Sequence, residues 1–119
     1  MRIALVDDCP NDLSIMHQFL AEALDTDSVI TEFHNGEDFL QHWSADTFDL
    51  IVLDIYMEQL TGIEIARVIR ETDPNVCLVF ATTSNEFASE SYEVNACYYL
   101  CKPFLKQQVL TMLDRIGKQ

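Results

Sequence analysis

Positively charged residues are scarce in this chain. Seven lysines and arginines stand against twenty aspartates and glutamates among 119 residues, which gives a net charge of −13. Nucleic acid phosphates would repel so acidic a domain, and we therefore expect no direct nucleic acid binding by these residues.

Long apolar segments are also absent. No apolar run approaches the length of a membrane span, and the N-terminus lacks the basic segment followed by an apolar stretch that a signal peptide would have. Hydrophobic residues nevertheless make up 49% of the chain, too many for a disordered segment, and the length suits one domain with a real core. We expect a soluble cytoplasmic domain without membrane contact.

The cysteines lack the spacing of a metal site. Cys9, Cys77, Cys97 and Cys101 form no CxxC pair and have no histidine at zinc-finger spacing. The last three lie in apolar stretches and are predicted to be buried thiols. Cys9 adjoins an acidic pair, where it is either a reactive thiol or, more simply, an inert loop thiol. Reduced cysteines fit the cytosol.

Short apolar runs alternate with segments of helical periodicity along the chain. Near-continuous apolar runs are typical of strands covered on both faces, whereas residues 28–33 are more mixed and predict an edge strand. The other predicted strands are residues 3–6, 50–53, 76–81 and 98–101. Amphipathic segments between and after the strands predict five helices, the third opened by Thr61 and Glu64 at the spacing of a capping box.

Five strand–helix units predict an α/β fold: a doubly wound parallel sheet with right-handed crossovers and helices on both faces. In such sheets ligands bind at the carboxyl ends of the strands, so the polar residues just past those ends are the candidates for function. They are Asp7, Asp8, Asp54, Thr82, Thr83 and Lys102.

Three of these candidates are carboxylates, which repel one another. Two carboxylates about 4 Å apart repel by roughly 4 kcal/mol at an effective dielectric constant near 20. Three together would raise their pKa values and destabilise the fold unless a cation compensates. Lys102 is one such cation, and Mg²⁺ is another, because it binds a few carboxylates and keeps waters that a phosphate can replace.

Four stretches, in this order and spacing, resemble the receiver domains of bacterial two-component response regulators: LVDD, LIVLDIYMEQLTG, VFATTS and YYLCKPF. The resemblance covers essentially all of residues 1–119 and implies the flavodoxin-like receiver fold with strand order 2-1-3-4-5. The segment NEFASESYEVNACYYLCKPF most resembles receivers that precede LytTR-type DNA-binding domains. Either the chain is a stand-alone receiver, or such an output domain lies outside it, as the resemblance implies for most family members.

The resemblance also implies the chemistry of the site. Asp54 would be the phosphoacceptor, whose carboxylate attacks a phosphohistidine of a sensor histidine kinase. Asp8 and Asp54 would bind Mg²⁺, or Mn²⁺ in its place, together with the backbone carbonyl of Tyr56. Asp7 would act on the metal largely through a water. Lys102 would pair with a phosphoryl oxygen.

Further residues would read out the phosphoryl group. The Thr82 hydroxyl and the Thr83 backbone N–H would bind phosphoryl oxygens. Thr82 and Tyr99 would then switch the face built from the fourth helix, fifth strand and fifth helix, where a partner or a second receiver would dock. The resemblance also implies a cis peptide bond before Pro103.

The chain departs from the family pattern beside the phosphoacceptor. The family often has Met-Pro where Met57 is followed by Glu58, a change that would loosen the loop without removing a reacting group. Tyr56 is bulky for its position. It would either hinder the attacking water, and so lengthen the phosphoryl lifetime, or pack outward.

Three other functions compete with this interpretation. A pseudo-receiver would use the same fold for protein interaction without phosphorylation, yet every reacting position is filled here. An FMN binder needs a phosphate-cradling loop after the first strand, whereas DDCPND is acidic and lacks glycine. A phosphatase using an aspartyl phosphate needs a second aspartate where Tyr56 stands. We expect no independent enzyme beyond the domain's own phosphotransfer and autodephosphorylation.

Overall fold

A parallel sheet flanked by helices forms the architecture. The computed structural model describes residues 1–83 and 86–117, and these form five strands and five helices. The strands β1 to β5 span Arg2–Val6, Val29–Phe33, Leu50–Leu53, Cys77–Thr82 and Tyr98–Cys101. The helices α1 to α5 span Pro10–Ala23, Gly36–His42, Gly62–Thr72, Ala88–Glu93 and Lys106–Ile116. None of these described helices is long and apolar enough to cross a membrane.

The strand order is β2-β1-β3-β4-β5, with every pair parallel, which confirms the predicted fold. The mixed segment forms the edge strand β2, as predicted. Ser84, the last residue of the VFATTS motif, and Asn85 lie outside the described residues.

The core lies on both faces of the sheet because successive strand residues point to opposite sides. In β1, Ile3 and Leu5 pack with residues of α1 and α5, whereas Ala4 and Val6 pack with residues of α2 and α3. All four side chains are buried. This two-sided burial explains why β1 reads as a continuous apolar run.

Local sequence signals fix the helix starts that lie near the carboxyl ends of the strands. Pro10 is the first residue of α1, a position where proline loses no hydrogen bond. Thr61 and Glu64 form the predicted capping box of α3. Next to it, a Cβ atom on Gly62 would lie 2.2 Å from the Asp54 carbonyl oxygen, so only glycine lets α3 begin so close to the end of β3.

The cysteines differ in part from the prediction of buried thiols. Within residues 1–83 and 86–117 none of the four forms a disulfide, and Cys77 and Cys97 are half-buried, as is Cys9. The prediction is wrong for Cys101, which is exposed. Cys101 ends β5, an edge strand, and no strand of the described sheet lies along its outer edge.

Candidate functional site

The ends of two neighbouring strands bring three carboxylates together. The register pairs Val6 with Leu53, so Asp7 and Asp54 follow at the same level of the sheet. One carboxylate oxygen each of Asp7, Asp8 and Asp54 lies within 4.8 Å of the others. Asp7 and Asp54 are buried and Asp8 is exposed. Acidic oxygens at this spacing, partly open to solvent, suit a hard divalent cation such as Mg²⁺.

Backbone hydrogen bonds hold these carboxylates in place. The Asp54 N–H donates to the Val6 carbonyl at 2.9 Å, and the Asp7 N–H donates to the Phe33 carbonyl at 3.1 Å. The Cys9 N–H donates to Asp7 Oδ1 at 2.9 Å. The sheet pattern therefore continues past the strand ends, and the site is built on rigid backbone.

Lys102 reaches the carboxylates from β5, on the far side of β4. Its Nζ lies 2.6 Å from Asp7 Oδ2, 2.9 Å from Asp12 Oδ2 and 3.6 Å from Asp54 Oδ2. The backbone N–H of Lys102 donates to the Thr82 carbonyl at 2.7 Å, and the Lys102–Pro103 peptide bond is cis. The Lys102 side chain is only 8% exposed, so the ion pairs with these carboxylates must compensate for the water that its ammonium has lost.

Asp12 is the member of this cluster that the sequence reasoning missed. It lies in the first turn of α1, and Cα–Cβ bonds tilt toward the N-terminus of a helix. That tilt directs a first-turn side chain back toward the end of β1, where Asp7 stands. Helix direction was therefore the signal in the sequence that could have placed Asp12 at the site.

Burial and neighbouring charges together shift the pKa values of these groups. Burial, followed by the negative charge of Asp7, raises the pKa of Asp54 to about 7. Burial alone would lower the pKa of Lys102, but its hydrogen bonds to Asp7 and Asp12 raise it. Burial alone would raise the pKa of Asp12, but its hydrogen bond to Lys102 and the positive charge of that lysine lower it. Near neutral pH, Lys102 is charged, and Asp54 is divided between its protonated and ionised forms.

The raised pKa of Asp54 predicts a pH-dependent stability in magnesium-free buffer. The carboxyl pKa is 3.8 ordinarily and about 7 when folded, so ionisation opposes folding, and stability falls as pH rises from about 4 to 7. Asp54→Asn removes this loss. We expect the variant to match wild type near pH 4.5 and to exceed it by about 1–3 kcal/mol at pH 8, after allowance for solvent screening. Urea denaturation in EDTA across this range measures the difference.

Asp49→Asn provides a control of opposite sign. A hydrogen bond from the Arg2 backbone N–H, with one from its side chain, lowers the pKa of Asp49. Its ionised form therefore stabilises the fold, so Asp49→Asn should be less stable than wild type. Because that stabilisation is complete once the pH exceeds the ordinary carboxyl pKa of 3.8, the difference should stay nearly constant between pH 4.5 and 8. Parallel curves for Asp54→Asn and wild type would contradict the assigned titration of Asp54.

The two threonines at the end of β4 differ in environment. Thr82 is fully buried and Thr83 is exposed. The register pairs Leu53 with Phe80, which places Thr82 one residue past the level of Asp54. Within residues 1–83 and 86–117, the Thr82 hydroxyl oxygen has no hydrogen-bond partner. A buried hydroxyl without a partner costs about 1–3 kcal/mol, so Thr82 gains if an acceptor enters the site.

Two tyrosines connect the site to the start of α4. Tyr56 is 44% exposed as a residue. Its ring packs edge-on against Phe87 at 5.4 Å between ring centroids, and its hydroxyl donates to the Glu86 carboxylate. Tyr99 is half-buried with its ring 6.3 Å from Phe80, and the Phe87 backbone hydrogen bonds to its hydroxyl. Phe87, the N-cap of α4, therefore contacts both tyrosines.

Comparison with known sequences gives a family and relatives. Residues 3–114 match the family described as the response regulator receiver domain. A sensory transduction protein LytR of Staphylococcus epidermidis is 34% identical over 119 residues, covering 98% of this chain and 46% of that protein. A sensory transduction protein LytT of Bacillus anthracis is 29% identical over 102 residues, covering 86% and 42%. The chain thus spans less than half the length of these relatives.

Solved structures agree with the family match. The BeF₃-activated DrrB receiver domain has a TM-score of 0.84 and 31% identity, covering 99% of this chain and 97% of that one. The response regulator TrrA of Thermotoga maritima, in complex with Mg²⁺–BeF, has a TM-score of 0.77 and 30% identity, covering 94% and 98%. These two proteins share the fold of this chain and were solved with beryllium fluoride bound.

Proposed function

Because the chain belongs to the family of response regulator receiver domains, we propose that it accepts a phosphoryl group from a sensor histidine kinase onto Asp54. The observation that carries this proposal is the setting of Asp54. Its carboxylate is buried at the end of β3, within 4.8 Å of the oxygens of Asp7 and Asp8 and 3.6 Å from the Lys102 ammonium.

The metal part of the proposal rests on the donor set. Asp8 and Asp54 would hold Mg²⁺, or Mn²⁺, with the Tyr56 backbone carbonyl as a third ligand and Asp7 acting through a water. When bound, this ion would neutralise charge on the attacking carboxylate and on the phosphoryl oxygens. It would also relieve the repulsion among the three carboxylates.

The protein's own groups supply the rest of the chemistry. The ionised Asp54 carboxylate attacks phosphorus. The bond between phosphorus and the histidine nitrogen of the kinase breaks as the acyl phosphate forms, and the imidazole leaves. Charge in this transition state spreads over the equatorial phosphoryl oxygens, so fixed donors around them lower the barrier. Lys102 Nζ, the Thr82 hydroxyl and the Thr83 N–H are the donors that we assign to these oxygens. Water later hydrolyses the acyl phosphate.

Incubation with acetyl phosphate and Mg²⁺, followed by intact-mass measurement, tests the proposed function. We expect the mass of one phosphoryl group to be added, and none when EDTA removes the metal. A phosphorylation-independent pseudo-receiver predicts a folded protein that takes up no phosphoryl group under either condition.

Mg²⁺ itself should stabilise the folded domain. A ligand present at a hundredfold excess over its dissociation constant adds about 2.7 kcal/mol to stability. Asp8→Asn removes one ligand charge, so it should weaken the magnesium effect and raise the melting temperature of the magnesium-free protein. Thermal unfolding across a magnesium titration measures both. Asp25→Asn, just after α1 and away from the strand ends, is the control and should respond like wild type. A melting temperature that Mg²⁺ leaves unchanged would count against the metal site.

We further propose that Thr82 and Tyr99 report phosphorylation. A phosphoryl oxygen near the buried Thr82 hydroxyl would give it the acceptor that it lacks among the described residues. Movement of Thr82 toward that oxygen would vacate space for the Tyr99 ring and so alter the face built from α4, β5 and α5. Because α4 has no buried residue of its own, it is the element most easily displaced.

Thr82→Ala should therefore accept the phosphoryl group at Asp54 and transmit it poorly. Spectra of Tyr99 and self-association, with and without beryllium fluoride, measure the response. Thr82→Ser keeps the hydroxyl and should respond like wild type, whereas Tyr99→Ala should lose the response. If Thr82→Ala and Tyr99→Ala both respond like wild type, the signal travels by another route.

The receiver's effect would be exerted through other domains and proteins. We propose that it works in the cytoplasm and controls a LytTR-type DNA-binding output domain and thereby transcription. The LytTR-like sequence of residues 85–104 and the LytR and LytT relatives support this. Because the receiver carries a net charge of −13, we expect such an output domain, and not the receiver, to contact DNA. A dimer would form through the face of α4, β5 and α5.

A further inference from the structure

Asp54 is not the nearest carboxylate to Lys102. The ammonium donates to Asp7 at 2.6 Å and to Asp12 at 2.9 Å, whereas its 3.6 Å separation from Asp54 exceeds hydrogen-bond length. Asp7 and Asp54 follow the neighbouring strands β1 and β3, but Asp12 belongs to α1. The ammonium is therefore held on the α1 side of the site, away from the nucleophile.

We propose that Asp12 is a positioning residue that holds Lys102 away from Asp54 and so lowers the affinity of the site for a phosphoryl group. This inference rests on the proposed function of Asp54. An ammonium has three N–H donors, and Asp7 and Asp12 engage it at hydrogen-bond distance. A phosphoryl group on Asp54 must draw Lys102 toward itself, and Asp12 competes for the same ammonium.

The charge of Asp12 acts on the two ligands of the site with opposite signs. Its carboxylate lies 2.9 Å from Lys102 Nζ, the same ammonium that lies 2.6 Å from Asp7 and 3.6 Å from Asp54, and this contact favours its ionised form. A negative charge there attracts Mg²⁺ and repels the phosphoryl oxygens. Asp12 should therefore favour metal binding while it disfavours phosphoryl binding, through both repulsion and competition for Lys102.

A purely structural role for Asp12 predicts a different pattern. An acidic residue in the first turn of a helix stabilises that helix through the dipole. If Asp12 served only α1, its removal would lower stability and loosen the site, and both ligands would then bind more weakly. The sign of the effect on phosphoryl binding separates the two roles.

The test uses beryllium fluoride as the phosphoryl probe. Wild type, Asp12→Asn and Asp12→Glu are titrated with Mg²⁺ alone, and then with beryllium fluoride at saturating Mg²⁺. For Asp12→Asn we expect Mg²⁺ to bind severalfold more weakly and beryllium fluoride to bind roughly three- to tenfold more tightly, the range for a partly exposed charge-assisted contact. Asp12→Glu keeps the charge and should return both affinities toward wild type.

Asp38→Asn is the matched control, because it also removes one acidic charge from the first turn of a helix, α2. It should leave both affinities unchanged. Beryllium fluoride binding to Asp12→Asn that is weaker than, or equal to, wild type overturns the inference while the proposed function stands. A folded wild type that binds Mg²⁺ but no beryllium fluoride overturns the proposed function and this inference with it.

Discussion

Asp54→Asn is expected to abolish phosphoryl uptake from acetyl phosphate while leaving the domain folded. The amide that replaces the carboxylate is nearly the same size but is not a nucleophile, so no acyl phosphate can form. The fold should survive because the substitution removes a carboxylate whose ionisation opposes folding, as its pKa of about 7 indicates. We expect incorporation to fall from one phosphoryl group per chain to none.

Intact-mass measurement after incubation with acetyl phosphate and Mg²⁺ gives this result directly. Asp38→Asn, in the first turn of α2, controls for the loss of one acidic charge and should be labelled like wild type. Circular dichroism of Asp54→Asn checks that its fold is intact. Labelling of Asp54→Asn to the level of wild type would show that another residue is the nucleophile.

Lys102→Ala is expected to cause the largest loss of stability among substitutions at the site. The Lys102, Asp7 and Asp54 side chains are at most 10% exposed, so removal of the ammonium leaves two buried carboxylates without a counter-charge. Breaking a buried ion pair from one side typically costs about 3–5 kcal/mol. Without Lys102 the pKa of Asp54 should rise further, and protonation of its buried carboxyl costs more as pH rises. The loss should therefore grow with pH, and Mg²⁺ should restore part of it.

Urea denaturation in EDTA at pH 8, repeated with Mg²⁺, measures this loss. Lys106→Ala is the matched control, since Lys106 pairs with Glu22 at 2.8 Å but both side chains are over 40% exposed. Solvent screens an exposed pair, so it contributes little to stability. If Lys102→Ala costs no more than Lys106→Ala, Lys102 is not the charge that balances the cluster.

The part of the fold that the sequence predicted is the part governed by local pattern. β1, β3 and β4 read as apolar runs because both of their faces are covered. Thr61 and Glu64 predicted the start of α3, because a capping box depends only on two residues three positions apart. The strand order, in contrast, came from the family resemblance, because periodicity does not say which strands are neighbours.

The missed features depend on contacts between distant residues. Asp12 and Lys102 are 90 residues apart, and an acidic residue in a first helical turn looks like an ordinary response to the helix dipole. Cys101 lies in an apolar stretch, but its exposure depends on β5 being an edge strand. The candidate site itself was predictable because parallel strands that start together also end together.

Borohydride reduction of the phosphorylated protein tests the phosphoacceptor most directly. Borohydride converts an aspartyl phosphate to homoserine and leaves free carboxylates unchanged, so peptide sequencing by mass spectrometry locates the modified residue. After treatment with acetyl phosphate and Mg²⁺, we expect homoserine at position 54 and aspartate at positions 7, 8 and 12. Homoserine at one of those three positions, or at none in the phosphorylated protein, would contradict phosphoryl transfer to Asp54.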